Sequence, residues 1–149
     1  MEAKEFWKLL CEEMDYRFFA GVPCKGLKPL YDSMSPQFMH YIPAVKEDVA
    51  LALTSGAALT GTKSAVLIKF NRLYNMFDCV SSFNNAYKIP VLILAYGDSD
   101  KIELVKTLTT HKIPYRVLRD VRRDLRYVIK RIENSSVPGV AIIEEGVLE

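Results

Sequence analysis

The chain has 149 residues, half of them hydrophobic and 26% charged, with a net charge of +2. That length suits one α/β domain with a real core, and the near-neutral balance calls for neither a nucleic-acid nor a membrane partner. Three scattered cysteines (Cys11, Cys24, Cys79), none in CxxC spacing, give neither a disulfide framework nor a zinc site and suit a reducing, cytoplasmic setting.

Apolar periodicity predicts an amphipathic helix over residues 3–16, with Phe6, Leu9, Leu10 and Met14 on one face. The N-terminus carries acids and no signal-type apolar region, and the longest apolar runs, such as VLILA, are too short to span a bilayer. Residues 18–22 read as a short strand ending in GVP, a strand-to-helix crossover, followed by a short helix over 26–33. A second strand is expected over 38–42 and a helix over 46–60. A third strand spans 64–69, and a loop over 70–74 leads into a helix to 87. The run 90–95 has the continuous apolar character of a parallel strand covered on both faces. A helix over 100–110, a strand over 116–118, a helix over 120–133 and a last strand over 140–143 complete the series. Strands alternate with helices throughout, so the expected fold is α/β: a three-layer, parallel six-stranded sheet with helices on both faces, one domain over 1–149.

The stretch HYIPAVKEDVALALTSGAALTG, residues 40–61, stands out. Pro43 precedes the helix, Glu47 and Asp48 open it, and Gly61 closes it, which is ordinary helix punctuation. No charge occurs between Asp48 and Lys63, so the helix is expected to be buried nearly all round, with Gly56 and Ala57 admitting a neighbouring backbone. Glu47 would then stand at the mouth of a buried helix. From spacing alone, an acid in a first helical turn needs no more than the helix dipole to explain it.

GVPCKGLKPL, then YIPAVKEDVALALTSGAALTGTKSAVLI, then YKIPVLIL resemble the pyrimidine-binding (PYR) domain of thiamine-diphosphate decarboxylases. Within them the chain is most similar to the sulfopyruvate decarboxylase alpha subunit and the matching half of phosphonopyruvate decarboxylase. The likeness covers residues 19–118, and EDVALALTSGAALTG is its specific part. It implies thiamine diphosphate as cofactor, and it implies that Glu47 is catalytic: the matching Glu hydrogen-bonds the aminopyrimidine ring nitrogen and so promotes loss of the thiazolium proton. It places Pro23, Cys24 and Asn71 beside the cofactor.

GVPCKG departs from the family at Lys25, where relatives carry a small Ser near the substrate carboxylate. Lys25 pairs with an anionic substrate or is an exposed turn residue, and Cys24 is a small packing residue before it is a nucleophile. The next departure is larger. Where relatives have a flexible loop approximating MQNSGLGN, this chain has IKFNRLYN, so both glycines are replaced, by Arg72 and Tyr74, while Leu73 and Asn75 keep the register. Either Lys69 and Arg72 clamp a phosphonate, sulfonate or carboxylate, or the large side chains fill the pocket and the chain is a non-catalytic assembly or regulatory subunit.

The resemblance also implies a partner. Magnesium and the diphosphate are normally held by Gly-Asp-Gly and a later Asn; here Gly97-Asp98 is followed by Ser99, and the next Asn is Asn134. A pyrophosphate-domain (beta-like) subunit would supply the metal's oxygen ligands in a homo- or hetero-oligomer, this chain holding no metal itself. The substrate would be an anionic 2-oxoacid. In the arginine-rich segment 119–131, Val121, Leu125, Val128, Ile129 and Ile132 define a core face. Arg122, Arg123, Arg126 and Lys130 are left outward among Asp120, Asp124 and Glu133, a solvated face rather than a nucleic-acid surface. His40 and His111 are too isolated to suggest a metal site, and His40 is expected to be structural.

Overall fold

The computed structural model describes residues 1–98, 100 and 102–149. The chain runs α1 (Ala3–Lys8, continued by a π-helical turn Leu9–Glu13), β1 (Phe18–Gly21), α2 (Lys28–Asp32, entered through a 3-10 turn Lys25–Leu27), β2 (His40–Pro43) and α3 (Glu47–Leu59). It continues with β3 (Ser64–Lys69), a 3-10 segment (Phe70–Asn75), α4 (Phe77–Cys79, continued by a π-helical stretch Val80–Asn85) and β4 (Leu92–Tyr96). Then come α5 (Ile102–Thr110), β5 (Tyr115–Val117), α6 (Val121–Ser135) and β6 (Gly139–Ile143). The helix expected over 100–110 is described from Ile102 onward, and residue 101 lies outside the described residues.

The six strands form one sheet in the order β2-β1-β3-β4-β6-β5, and every pair is parallel. Strand alternation sends side chains to two separate cores. Phe19, Leu67, Leu92 and Leu94 meet α1, α2 and α6 on one face. Ala20, Val66, Ile68 and Ile93 meet α3, α4 and α5 on the other. This is the three-layer arrangement expected of continuous apolar strands. No helix among the described residues is long and apolar enough to cross a membrane.

Two expectations need correction. β2 runs His40–Pro43 rather than 38–42. It is an edge strand, where the missing N–H of Pro43 leaves no ladder bond unmade. The second correction concerns α3, which is not buried nearly all round. Ala50, Leu51, Thr54 and Ser55 face the sheet, while Val49 (47% exposed), Leu53 (37%) and Leu59 (65%) point outward. A Cβ added at Gly56 would meet nothing within 4 Å, so no neighbouring backbone passes there. Beyond the exposed Asp48 of its first turn, the helix therefore carries an uncharged, largely apolar outer face.

Asp124 also departs from the outward placement read from sequence, being 2% exposed. Its carboxylate turns back to accept from the backbone N–H groups of Arg119 (3.0 Å) and Asp120 (2.9 Å) at the start of α6. The arginines themselves do face outward, and Arg122 and Arg126 both pair with Glu13 on the first helix.

Candidate functional site

After β1 the chain crosses to β2 on one side of it, then returns to β3 on the other. Parallel α/β sheets bind ligands in the crevice that such a reversal opens beyond the carboxyl ends of the strands. Gly21 lets the two strand ends approach: a Cβ there would lie 2.1 Å from the carbonyl oxygen of Leu67. Above them lies a cavity of about 610 Å³. Its walls are Val22, Pro23 and Cys24 after β1, residues 45–48 at the head of α3, and Lys69, Arg72 and Asn75 after β3.

Glu47 is the least accessible acid on this wall, 7% exposed, in the first turn of α3. Asn75 Nδ2 donates to its Oε2 at 3.2 Å. Asp48, by contrast, is exposed and accepts from the N–H of Val49 at 2.8 Å. Glu47 is thus the shielded carboxylate on a cavity wall that also includes Val22 and Val45, with cations at the rim. Among the described residues, Lys25, Lys46, Lys69 and Arg72 pair with no carboxylate, whereas Arg17, Lys63, Arg116 and Arg122 all do.

Pro23, Cys24, Glu47, Lys69 and Arg72 therefore come together on one cavity. Lys25 faces an adjoining chamber with Cys24 and Lys69. Asn71 lines neither, and its Oδ1 is buried without a hydrogen-bond partner among the described residues. Arg72 stands at the cavity wall without closing it. Tyr74 is half exposed and turned away, edge-on to Phe77 with ring centroids 5.8 Å apart.

Sequence reasoning missed three residues here. Lys46 lies at the rim, and its only signal is adjacency to Glu47. Asn75 kept the register of the loop but gave no sign of its bond to Glu47. Tyr96, at the end of β4, packs its ring where a Cβ on Gly26 would fall. Burial pushes its phenol up from the ordinary value, with the negative charge of Glu145 and Cys24 adding to it. His40 is exposed, and His111 stacks on Phe77 at 5.2 Å. No group of three or more His, Cys, Asp or Glu side chains among the described residues is placed to hold a metal ion.

The donor set suits the pyrimidine end of thiamine diphosphate, since a shielded carboxylate between apolar walls can face a ring nitrogen. Among the described residues no comparable group of side chains is placed for its magnesium.

No family model matches the chain. It is 30% identical over 110 residues to a sulfopyruvate decarboxylase subunit alpha of Methanococcus maripaludis, covering 66% of this chain and 66% of that one. It is 31% identical over 89 residues to the subunit alpha of Methanocaldococcus jannaschii, covering 59% and 53%. The matches thus span just under two thirds and about half of these relatives' lengths.

In fold it is similar to a 2-oxoglutarate:ferredoxin oxidoreductase from Magnetococcus marinus, with a TM-score of 0.75 and 15% identity over 99% of this chain and 29% of that one. It is likewise similar to a thiamine diphosphate-dependent 4-hydroxybenzoylformate decarboxylase from Rhodococcus jostii, with a TM-score of 0.74 and 17% identity over 97% and 30%. The likeness read from the sequence therefore stands, to sulfopyruvate decarboxylase alpha subunits in sequence and to thiamine-diphosphate enzymes in fold.

Proposed function

We propose that this chain, a single PYR-like domain over 1–149, is the alpha-like subunit of a split thiamine-diphosphate-dependent 2-oxoacid decarboxylase of the sulfopyruvate or phosphonopyruvate type. The observation that carries the proposal is Glu47: a shielded carboxylate, oriented by Asn75, on an open cavity at the β1/β3 reversal.

Glu47 holds the aminopyrimidine ring nitrogen and shares a proton with it. Asn75 occupies the carboxylate's other side and keeps it aimed. Pro23, Cys24, Val22 and Val45 wall the ring and exclude water, which strengthens that hydrogen bond. When bound, thiamine diphosphate supplies the carbon nucleophile and the electron sink for decarboxylation. Lys25, Lys69 and Arg72 hold the anionic groups of the substrate.

A partner of pyrophosphate-domain type completes the site with its magnesium ligands. The exposed face of α3 supports such an assembly: Val45 (91% exposed) lines the cavity, and beyond the exposed Lys46 and Asp48 an apolar patch follows with Val49 and Leu53. A stripe of this kind beside an open cavity suits a protein contact. The open cavity and the turned-away Tyr74 favour the catalytic reading over an assembly-only subunit with a filled loop.

The test has two parts. Affinity capture of the chain from its host should bring down a partner carrying Gly-Asp-Gly and a downstream Asn. In the assembled complex, Glu47→Gln should lower decarboxylation by at least about a hundredfold, the scale of a lost acid–base group. A complex that keeps its rate with Gln at 47 would remove Glu47 from the chemistry.

A further inference from the structure

A second chamber, of about 400 Å³, adjoins the one beside Glu47, bounded by Cys24, Lys25, Gly26, Lys69 and Tyr96. Cys24 and Lys69 line both chambers, so the two lie side by side along the carboxyl edge of the sheet. Tyr96 takes its place in this chamber because residue 26 is glycine: a Cβ there would fall 1.9 Å from Cε1 of Tyr96, and the ring would have to move.

Tyr96 also lines a third chamber, with Asp98, Asp100 and Glu145 among its walls. Charge is thus divided on this ring. The charged walls on one side of it are the two lysines, whereas on the other the carboxylates outnumber a single cation, Arg119. Lys25 and Lys69 have no carboxylate partner among the described residues. Both lysines are exposed, and two cations on the walls of one chamber give it a potential that attracts an anion.

Resting on the function proposed above, we infer that the Lys25–Lys69–Tyr96 chamber is the subsite for the substrate's distal anionic group, with Tyr96 as its specificity-determining donor. Three donors on three separate elements (the turn after β1 and the ends of β3 and β4) suit the three oxygens of a tetrahedral anion; a carboxylate has only two. The phenol, pushed up by burial, stays a donor at neutral pH. Arg72, across Lys69 in the first chamber, is left to face the 2-oxoacid carboxylate. The chamber behind Tyr96, where Asp98, Asp100, Glu144 and Glu145 outnumber Arg119, disfavours an anion that overshoots.

The test uses the whole chain alone, at low ionic strength, with phosphonoacetate as probe and phosphorus NMR and calorimetry as readouts. Acetate, which has no tetrahedral group, is the comparison ligand. Tyr96→Phe, which keeps the ring over Gly26, should weaken phosphonoacetate about tenfold, as loss of a hydrogen bond to a charged group does. The same variant should leave acetate unchanged. Lys25→Ala should weaken phosphonoacetate at least as much, and Gly26→Ala should do so by displacing the ring.

If Tyr96→Phe and Lys25→Ala both bind phosphonoacetate like the parent chain, the inference is overturned. It is equally overturned if the parent chain shows no saturable binding. Thiamine titrated against the parent chain and Glu47→Gln reads the first chamber separately. Loss of a Glu47-dependent thiamine signal with phosphonoacetate binding intact would strike the cofactor assignment and leave the anion chamber standing.

Discussion

Replacing Asp124 by Asn should destabilise the fold by about 2–3 kcal/mol at pH 7, and the loss should fade in acid. Asp124 accepts four hydrogen bonds: from the N–H groups of Arg119 and Asp120 on Oδ2, and from Nε of Arg123 (3.2 Å) and Arg116 (3.5 Å) on Oδ1. An amide has one oxygen, so either the two backbone donors or the two guanidinium groups lose their acceptor. Hydrogen bonds to a charged group contribute about 1.5–3 kcal/mol each where they are buried. The guanidinium groups are 45% and 68% exposed, so their share is screened and the backbone pair dominates the figure.

Burial pushes this carboxyl up, but the backbone N–H of Arg119, the Arg123 side chain and the backbone N–H of Asp120 outweigh it and hold it below the usual carboxylate range. A depressed acid stabilises the fold fully above its unfolded value, about 4, and loses that contribution as pH falls through the folded value. The gap between parent and Asp124→Asn should therefore be full at pH 7 and close progressively below pH 4. Urea unfolding followed by the fluorescence of the single tryptophan, Trp7, at pH 7, 5 and 3 measures it. A gap independent of pH, or one below about 0.5 kcal/mol at pH 7, would refute the charge-based account.

Three further outcomes are expected. Gly21→Ala should cost about 1–3 kcal/mol, because its Cβ would meet the Leu67 carbonyl at 2.1 Å and only backbone movement relieves that; a urea midpoint equal to the parent's would contradict it. The double variant Val49→Gln, Leu53→Gln should leave the isolated chain within about 1 kcal/mol of the parent, since both side chains are partly in solvent. The same change should abolish capture of the partner, and unchanged capture would move the interface off α3. Cys11, 2% exposed and with its thiol pushed up to about 11 by burial, should resist alkylation at pH 8 until the chain unfolds, whereas Cys24 on the cavity wall should react in the folded chain. Mass spectrometry of labelled peptides decides it, and prompt labelling of Cys11 would mean that the α1 face opens.

The sheet was legible because its signals are local. Between Lys63 and Phe70 the apolar run AVLI is flanked by Ser64 and Lys69, and β3 spans Ser64–Lys69 as expected. The strand ends were less legible where Pro intervenes: Pro43 reads as a breaker, yet at a sheet edge it is tolerated. The exposure of α3 was illegible for a different reason. An uncharged helix has the same composition whether the protein core or another chain covers it, so only the geometry distinguishes the two. Asn75 and Tyr96 escaped because their partners, Glu47 and Gly26, are far away in sequence. Asp124 escaped because alternation of charges along a helix does not reveal a carboxylate folded back on its own N-terminus.

The loop after β3 shows how a site can change its means of holding a ligand without closing. The glycines of the loop that this segment resembles would let main chain approach a ligand. Here the segment Phe70–Asn75 is a 3-10 turn held down by Phe70 and Leu73, each 1% exposed. That anchoring costs the loop the backbone freedom that glycine provides, and with it close main-chain contact. A guanidinium reaches a ligand from several ångströms away and carries charge, so on the proposed function Arg72 would move the contact from a neutral backbone to a cationic side chain. Tyr74 avoids obstructing the cavity by packing edge-on to Phe77. The exchange is favourable only if the ligand facing Arg72 is itself an anion, because an arginine without a counter-charge beside Lys46 and Lys69 would raise the energy of the unliganded site. Replacing Arg72 by Gly should accordingly raise the KM for a 2-oxoacid in the assembled enzyme and reduce its dependence on ionic strength. An unchanged salt dependence would show that Arg72 does not face the substrate.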